Sequence, residues 1–184
     1  MESAYRELYS EEQIARRIRE LAVEIEPWAR DAAERSGHQV LAVCVLNGAL
    51  FFFADLLRAL RVSMEPACCR ASSYTIETNQ QAAHGVKISV ANVAAAGRAI
   101  LIVDDICDTG ATLAKLQSVF EELGAVEVRS AVVVRRKCAS NSFMPSWTAF
   151  EYEGDEWFVG YGMDNRGFDR NLPGISLLDP ATGE

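Results

Sequence analysis

The sequence predicts an α/β domain: a Rossmann-like, twisted and mainly parallel sheet flanked by helices, with a small hood from the N- and C-terminal segments. Three observations carry this expectation. Val40 to Leu46 reads as a buried strand, the aliphatic run Ile100 to Val103 as a strand buried on both faces, and Val126 to Val134 as another strand. Stretches of helical period, Ala49 to Leu60 and Ala111 to Leu123, follow the first two runs, and a repeated β-α-β order implies parallel pairing through right-handed crossovers. Finally, Asp104, Asp105 and Asp108 crowd the end of one such run, just before a Thr109-Gly110-Ala111-Thr112 turn, where open parallel sheets gather ligands.

The elements follow in chain order. Ser10 with Gln13 resembles a capping box, and Ile14, Ile18, Leu21, Ile25 and Trp28 then recur on one helical face, so an amphipathic helix is expected, bent or ended near Pro27. Gly37 closes it. After the strand Val40 to Leu46, Asn47-Gly48 marks a tight turn into the second helix. Phe51, Phe52 and Phe53 cannot share one face of that helix, which favours core packing over a ligand box. Val62 to Ser72 contains the next strand. Residues 73–85 are polar with little apolar period, the pattern of a mobile lid, with an exposed hairpin arm or a loose loop as the plainer alternatives. Val86 to Val93 alternates like a strand, Gly97 turns the chain, and Arg98 leads into the central run. Gly124 ends the third helix, Arg135, Arg136 and Lys137 close the strand after it, and Trp147 to Tyr152 and Ile175 to Leu178 are the last strands.

At 184 residues the chain fits one domain, 1–184, with a hood at about 1–36 and 157–184 and a lid at about 73–85. No apolar stretch reaches the ~18 residues of a membrane span, and the charged start lacks a secretory segment. A cytoplasmic protein is expected. The net charge of -8 argues against a broad nucleic-acid-binding face. Cys44, Cys68, Cys69, Cys107 and Cys138 are odd in number and without a CxxC pair, so reduced thiols are expected rather than a disulfide or zinc framework. Cys107 lies in the acidic loop but has no histidine near it in sequence to activate it, and His38 and His84 do not form a metal motif.

The chemistry concentrates at residues 104–112. Gly110 permits unusual backbone shapes, and Thr109, Thr112 and the free amides of a helix start can hold a phosphate. An acidic pair beside such a site suits a polyhydroxylated sugar or hydrated magnesium. A dehalogenase-type phosphatase also leads an aliphatic strand into aspartates, but it needs Asp-x-Asp spacing, which Asp105 and Asp108 do not have.

The segment Val103-Asp104-Asp105-Ile106-Cys107-Asp108-Thr109-Gly110-Ala111-Thr112 resembles the phosphoribosyl pyrophosphate motif of type I phosphoribosyltransferases, and further matches narrow the similarity to the hypoxanthine-guanine members. Leu46-Asn47-Gly48 looks like their pyrophosphate loop, often closed by a cis peptide. Ser73-Tyr74 looks like the opening of their lid, and Trp157 to Asp164 resembles their purine-binding segment. Arg170 falls where the family has a pyrophosphate-binding arginine. Two departures stand out: Asp104 replaces a common Glu, and the usual purine-reading lysine aligns with Arg136, with Lys137 one place later, leaving both as candidates.

The resemblance implies transfer of ribose 5-phosphate from phosphoribosyl pyrophosphate to a 6-oxopurine, hypoxanthine or guanine. Asp104 and Asp105 would take the ribose hydroxyls, and Asp108 would act as general acid/base. Residues Asp108, Thr109, Gly110, Ala111 and Thr112 would bind the 5-phosphate, while Leu46, Asn47, Gly48 and Arg170 would hold pyrophosphate. Trp157 would stack on the purine, with Phe158, Asp164, Arg136 and Lys137 around its edge. Magnesium would sit near Asp164, Asp104 and Asp105, and the family implies a homodimer or homotetramer. The competing readings are a xanthine- or guanine-preferring enzyme and a nucleotide-sensing RNA-binding regulator on the same fold, which the acidic balance counts against.

Overall fold

A computed structural model of the chain describes residues 5–78, 81–90, 93–137 and 143–178, and between 72 and 87 it describes the backbone alone. Among these residues no helix is long and apolar enough to cross a membrane. The main sheet has six strands in the order β4-β3-β2-β5-β6-β7. These are β2 (Val40–Leu46), β3 (Met64–Thr78), β4 (Gln81–Ser89), β5 (Ala99–Cys107), β6 (Glu127–Arg136) and β7 (Trp147–Tyr152). Pairing is parallel from β3 through β7, and β4 alone runs antiparallel, against β3.

Helices cover both faces. On one side lie α1 (Glu11–Ser36) and α2 (Leu50–Ala59), packed on Val40, Ala42, Cys44, Leu101 and Val103. On the other, α3 (Ala111–Glu122) packs Leu113, Leu116 and Phe120 on Leu41, Val43, Ile100 and Ile102. Alternate residues of β2 and β5 thus serve opposite layers, which explains why their sequences are apolar without interruption. The β2-α2-β3 and β5-α3-β6 connections leave the middle of the sheet in opposite directions. Their point of divergence lies between β2 and β5, and a crevice opens outside the carboxyl ends of those strands.

The Ser10 capping box forms as expected: the Ser10 hydroxyl accepts from Gln13 N–H, and Ser10 N–H donates to Gln13 Oε1 at 2.8 Å. Gly37, at φ 68°, ends the helix. Pro27, expected to bend or end α1, does not end it: the helix continues to Ser36. Buried residues lie on both sides of it, Ile14, Ile18, Leu21 and Ile25 before and Ala29 and Ala32 after, so packing overrides one missing N–H. Phe52 and Phe53 are buried, while Phe51 is half-exposed.

Residues 73–85, read as a polar excursion, extend β3 and β4 into a long antiparallel arm, with Ser73 opposite Val86 and Tyr74 opposite Gly85. The side chains of Ser73 and Tyr74, and residues Asn79 and Gln80, lie outside the described residues, as does Cys138. A strand the sequence did not announce, β1 (Tyr5–Tyr9), pairs antiparallel with β9 (Ile175–Leu178), which also pairs with β8 (Phe158–Val159). Together they form a separate three-stranded sheet, whereas α1 packs with α2 and across β7.

Candidate active site

The crevice holds a cavity of about 300 Å³ lined by Gly48, Asp104, Asp105, residues 108–113, Asp164 and Arg170. A neighbouring lobe of about 240 Å³ is lined by Ile106, Arg136, Trp157, Phe158 and Met163. Asp105, Asp108 and Asp164 line both.

The acidic floor comes from β5, which continues through Cys107 rather than ending at Val103. Successive strand residues point to opposite faces, yet both carboxylates turn back onto the chain. Asp104 Oδ1 accepts from Asp105 N–H at 3.0 Å, and Asp105 Oδ1 accepts from Ile106 N–H at 2.9 Å. Asp104 is 5% exposed. Burial, and after it the charge of Asp105, pushes its carboxyl well above the usual range. Burial also raises Asp105, against the pull of hydrogen bonds and the Arg170 charge. The two carboxyls are close enough that each shifts the other. Gly48 rests on this pair so closely that a Cβ there would lie 1.9 Å from Asp105 Oδ2.

Beyond the floor, Gly110 at φ 80° starts α3 without a side-chain cap, and Ala111 N–H donates to Thr109 Oγ1 at 3.4 Å. The first-turn amides of a helix have no intrahelical partner, and with the helix dipole they favour an anion. Across the cavity, the Leu46-Asn47 peptide is cis. Arg170 donates from Nη1 to Gly162 O at 2.6 Å and pairs through Nη2 with Asp164 Oδ1 at 2.5 Å. Asp164 Oδ2 accepts from Gly167 N–H at 2.6 Å.

The second lobe is built around Arg136. Its Nε donates to Asp108 Oδ1 at 2.7 Å, Nη2 donates to Glu156 O at 3.0 Å, and Nη1 donates to Gly154 O. The guanidinium lies 4.7 Å from the Phe158 ring centre. Trp157 is 59% exposed, and its indole N–H donates to Asp164 O at 2.6 Å, which fixes the ring at the mouth of the lobe. Lys137 is not among the lining residues; its Nζ pairs with Glu151 Oε2 at 2.6 Å.

Most sequence-predicted residues therefore meet in one place, and Lys137 stands apart from them. Met163 and Ile106 join the lobe, and Gly154 and Glu156 anchor Arg136 by their carbonyls; sequence reading did not single these out. Backbone carbonyls carry no residue signature, although the Gly160-Tyr161-Gly162 spelling marks an unusual turn.

Asp104, Asp105 and Asp164 are the carboxylates that could offer oxygens to a cation. No group of three or more histidine, cysteine or acidic residues that could hold a metal is present among the described residues. Magnesium usually needs only one or two protein carboxylates beside substrate phosphates and water. All three carboxylates line the same cavity.

A family model described as Phosphoribosyl transferase domain matches residues 4–166. The chain is 31% identical to a hypoxanthine-guanine-xanthine phosphoribosyltransferase of Tritrichomonas foetus, over 97% of this chain and 93% of that protein. It is 32% identical to a hypoxanthine-guanine phosphoribosyltransferase of Bacillus subtilis, over 96% and 94% respectively. Among solved structures, a Trypanosoma cruzi hypoxanthine phosphoribosyltransferase in complex with the product IMP superposes with a TM-score of 0.80 at 26% identity, covering 96% of this chain and 95% of that one. Sheet order, site geometry and these likenesses agree: the chain belongs to the phosphoribosyl transferase family of enzymes, alongside the hypoxanthine-guanine phosphoribosyltransferases.

Proposed function

We propose that the protein transfers ribose 5-phosphate from phosphoribosyl pyrophosphate to hypoxanthine or guanine, releasing pyrophosphate. The observation that carries this reading is the two-lobed cavity: an acidic, anion-binding lobe shares Asp105, Asp108 and Asp164 with an aromatic lobe lined by Arg136. The acidic floor faces the ribose hydroxyls. Its field favours the positive charge that grows on the sugar as the bond to diphosphate breaks. Thr109 to Thr112 and the start of α3 take the 5-phosphate. Arg170 and the Asn47-Gly48 loop take the diphosphate. Trp157 and Phe158 bracket the purine, and a purine nitrogen attacks the sugar carbon while Asp108 exchanges a proton at N7. Arg136, a permanent donor, faces the 6-oxo edge. Its place in the lobe, against the outward position of Lys137, supports Arg136 as the purine reader.

Magnesium, held by Asp164 with the Asp104–Asp105 pair, would neutralise the diphosphate leaving group. We take the chain as a single domain whose hood is supplied by its terminal segments. The β3–β4 arm is taken as its lid, closing over the sugar to exclude water. Among the described residues Cys44, Cys68 and Cys69 are free thiols, which supports a cytoplasmic location. Leu50 is 48% and Phe51 39% exposed on α2, which supports a homodimer or homotetramer that light scattering would detect.

The test is nucleotide formation by the purified protein with phosphoribosyl pyrophosphate, magnesium and each of hypoxanthine, guanine, xanthine and adenine. Product with hypoxanthine or guanine is expected, lost when magnesium is chelated, and silence with all four bases refutes the reading. Similarity to the Tritrichomonas foetus enzyme, whose name includes xanthine, makes xanthine use the second reading, and the same assay separates them.

A further inference from the structure

Between α1 and α2 lies a larger cavity of about 590 Å³, and Tyr161 is one of its lining residues. The residue is 7% exposed. Its φ of 47° lies in the left-handed region, which a bulky side chain occupies when its surroundings hold it there. Those surroundings belong to α2: the hydroxyl donates to Asp55 Oδ2 at 2.8 Å, and the ring centre lies 6.4 Å from that of Phe51. Burial, and after it the Asp55 carboxylate, pushes the phenol above its ordinary range, so the hydroxyl remains a donor throughout working pH.

The backbone at Tyr161 is tied to the segment that carries Arg170. Tyr161 N–H donates to Leu172 O at 2.8 Å, and Gly162 N–H donates to Arg170 O at 2.8 Å. Gly162 O in turn accepts from Arg170 Nη1 at 2.6 Å. Gly162 also meets the opposite loop, because a Cβ on it would lie 1.9 Å from Gly48 O. Helix α2 begins at Leu50, immediately after that loop. One helix is thus joined covalently to the Asn47-Gly48 loop and through Tyr161 to the turn that carries Asp164 and Arg170.

We propose that Tyr161 and Asp55 form a strut that sets the spacing between the Asn47-Gly48 loop and Arg170, and so positions the diphosphate-binding half of the site. The inference rests on the transferase reading above. Tyr161 is a positioning residue, since it lines neither lobe of the active site.

Steady-state kinetics on Tyr161→Phe, which keeps the ring and removes one oxygen, test the strut. The KM for phosphoribosyl pyrophosphate should rise about 5- to 20-fold, a part of the roughly 10- to 150-fold that a lost hydrogen bond to a charged group is worth. The KM for hypoxanthine should change less, within about twofold, because most of the purine lobe, Ile106, Asp108 and Arg136 among its residues, lies on elements that the strut does not hold. Asp55→Ala should reproduce this split, and Asp55→Asn, which keeps an acceptor for the hydroxyl, should restore most of it. A Tyr161→Phe enzyme in which both constants rise together, or neither rises, overturns the strut and leaves the transferase reading standing. Wild-type protein that makes no nucleotide overturns that reading and the strut with it.

Discussion

The acidic end of β5 and the turn at residues 160–170 face each other across one cavity, yet the first is built from neighbours in the chain and the second from residues that meet only in space. At β5, Asp104 and Asp105 are set by a strand already buried on both faces, and each carboxylate is held by the next backbone amide. At the turn, Gly162 touches Gly48, 114 positions earlier in the numbering, and Arg170 reaches back to both Gly162 and Asp164. Local construction places charge where solvation is poor. Long-range construction places backbone where no side chain fits. Arg136 links the two, with Nε on Asp108 and its other nitrogens on the carbonyls of Gly154 and Glu156.

Breaking the chain-local half should cost most. Asp108→Ala is expected to lower kcat by about 10²- to 10⁴-fold with substrate binding largely kept, the usual loss for a general acid or base; undiminished turnover would remove Asp108 from that role. Breaking the assembled half with Gly162→Ala drives a methyl into Gly48 O at a φ of 102°, and a shift of about an ångström should cost on the order of 10²-fold in kcat/KM. A near-wild-type Gly162→Ala enzyme would show that the two segments move independently.

The bridge gives a smaller and more selective effect. Arg136→Ala should raise the purine KM about 10-fold or more, while Lys137→Ala, which removes only an exposed ion pair, should change it by less than about twofold. The reverse order would assign the purine edge to Lys137.

The smallest effect sharpens the contrast by separating stability from activity. Because burial raises the Asp104 and Asp105 carboxyls, the folded state holds protons that the unfolded chain has already released. Stability therefore falls as pH rises from the ordinary carboxylate range through the raised one. Asp104→Asn should relieve this at pH 7.5 and raise Tm by a few degrees while lowering turnover, and its advantage should fade below about pH 3, where the wild-type pair is protonated in both states. A lower Tm for Asp104→Asn at pH 7.5 would show that the pair is compensated within the fold.

The same division explains what the sequence made legible. Helix ends came through capping chemistry at Ser10, Gly37 and Gly124, and the central strands through uninterrupted aliphatic runs. The acidic motif came through because its residues are consecutive. Strand β1 stayed hidden: Tyr5 to Tyr9 are mostly polar and gain strand geometry only from pairing with β9. The 73–85 arm stayed ambiguous because a two-stranded ribbon with little to bury has no strong apolar alternation. Pro27 misled because a local penalty counted for less than a long buried face. The purine lobe was visible as a set of residue types, but the choice between Arg136 and Lys137 depends on which face of β6 each occupies at its end, and sequence spacing leaves that open by one residue.

The three-stranded sheet also imposes an order in time. During synthesis, β1 emerges before the six-stranded sheet and β9 after it. N-terminal portions of a chain can begin to fold on the ribosome, but Tyr5 to Tyr9 must wait for Ile175 to Leu178 before their backbone groups find partners. Strand β8, which leads into the turn at residues 160–170, is seated by that same late pairing, so a nascent chain would carry its acidic floor well before the opposite wall of the cavity is in place.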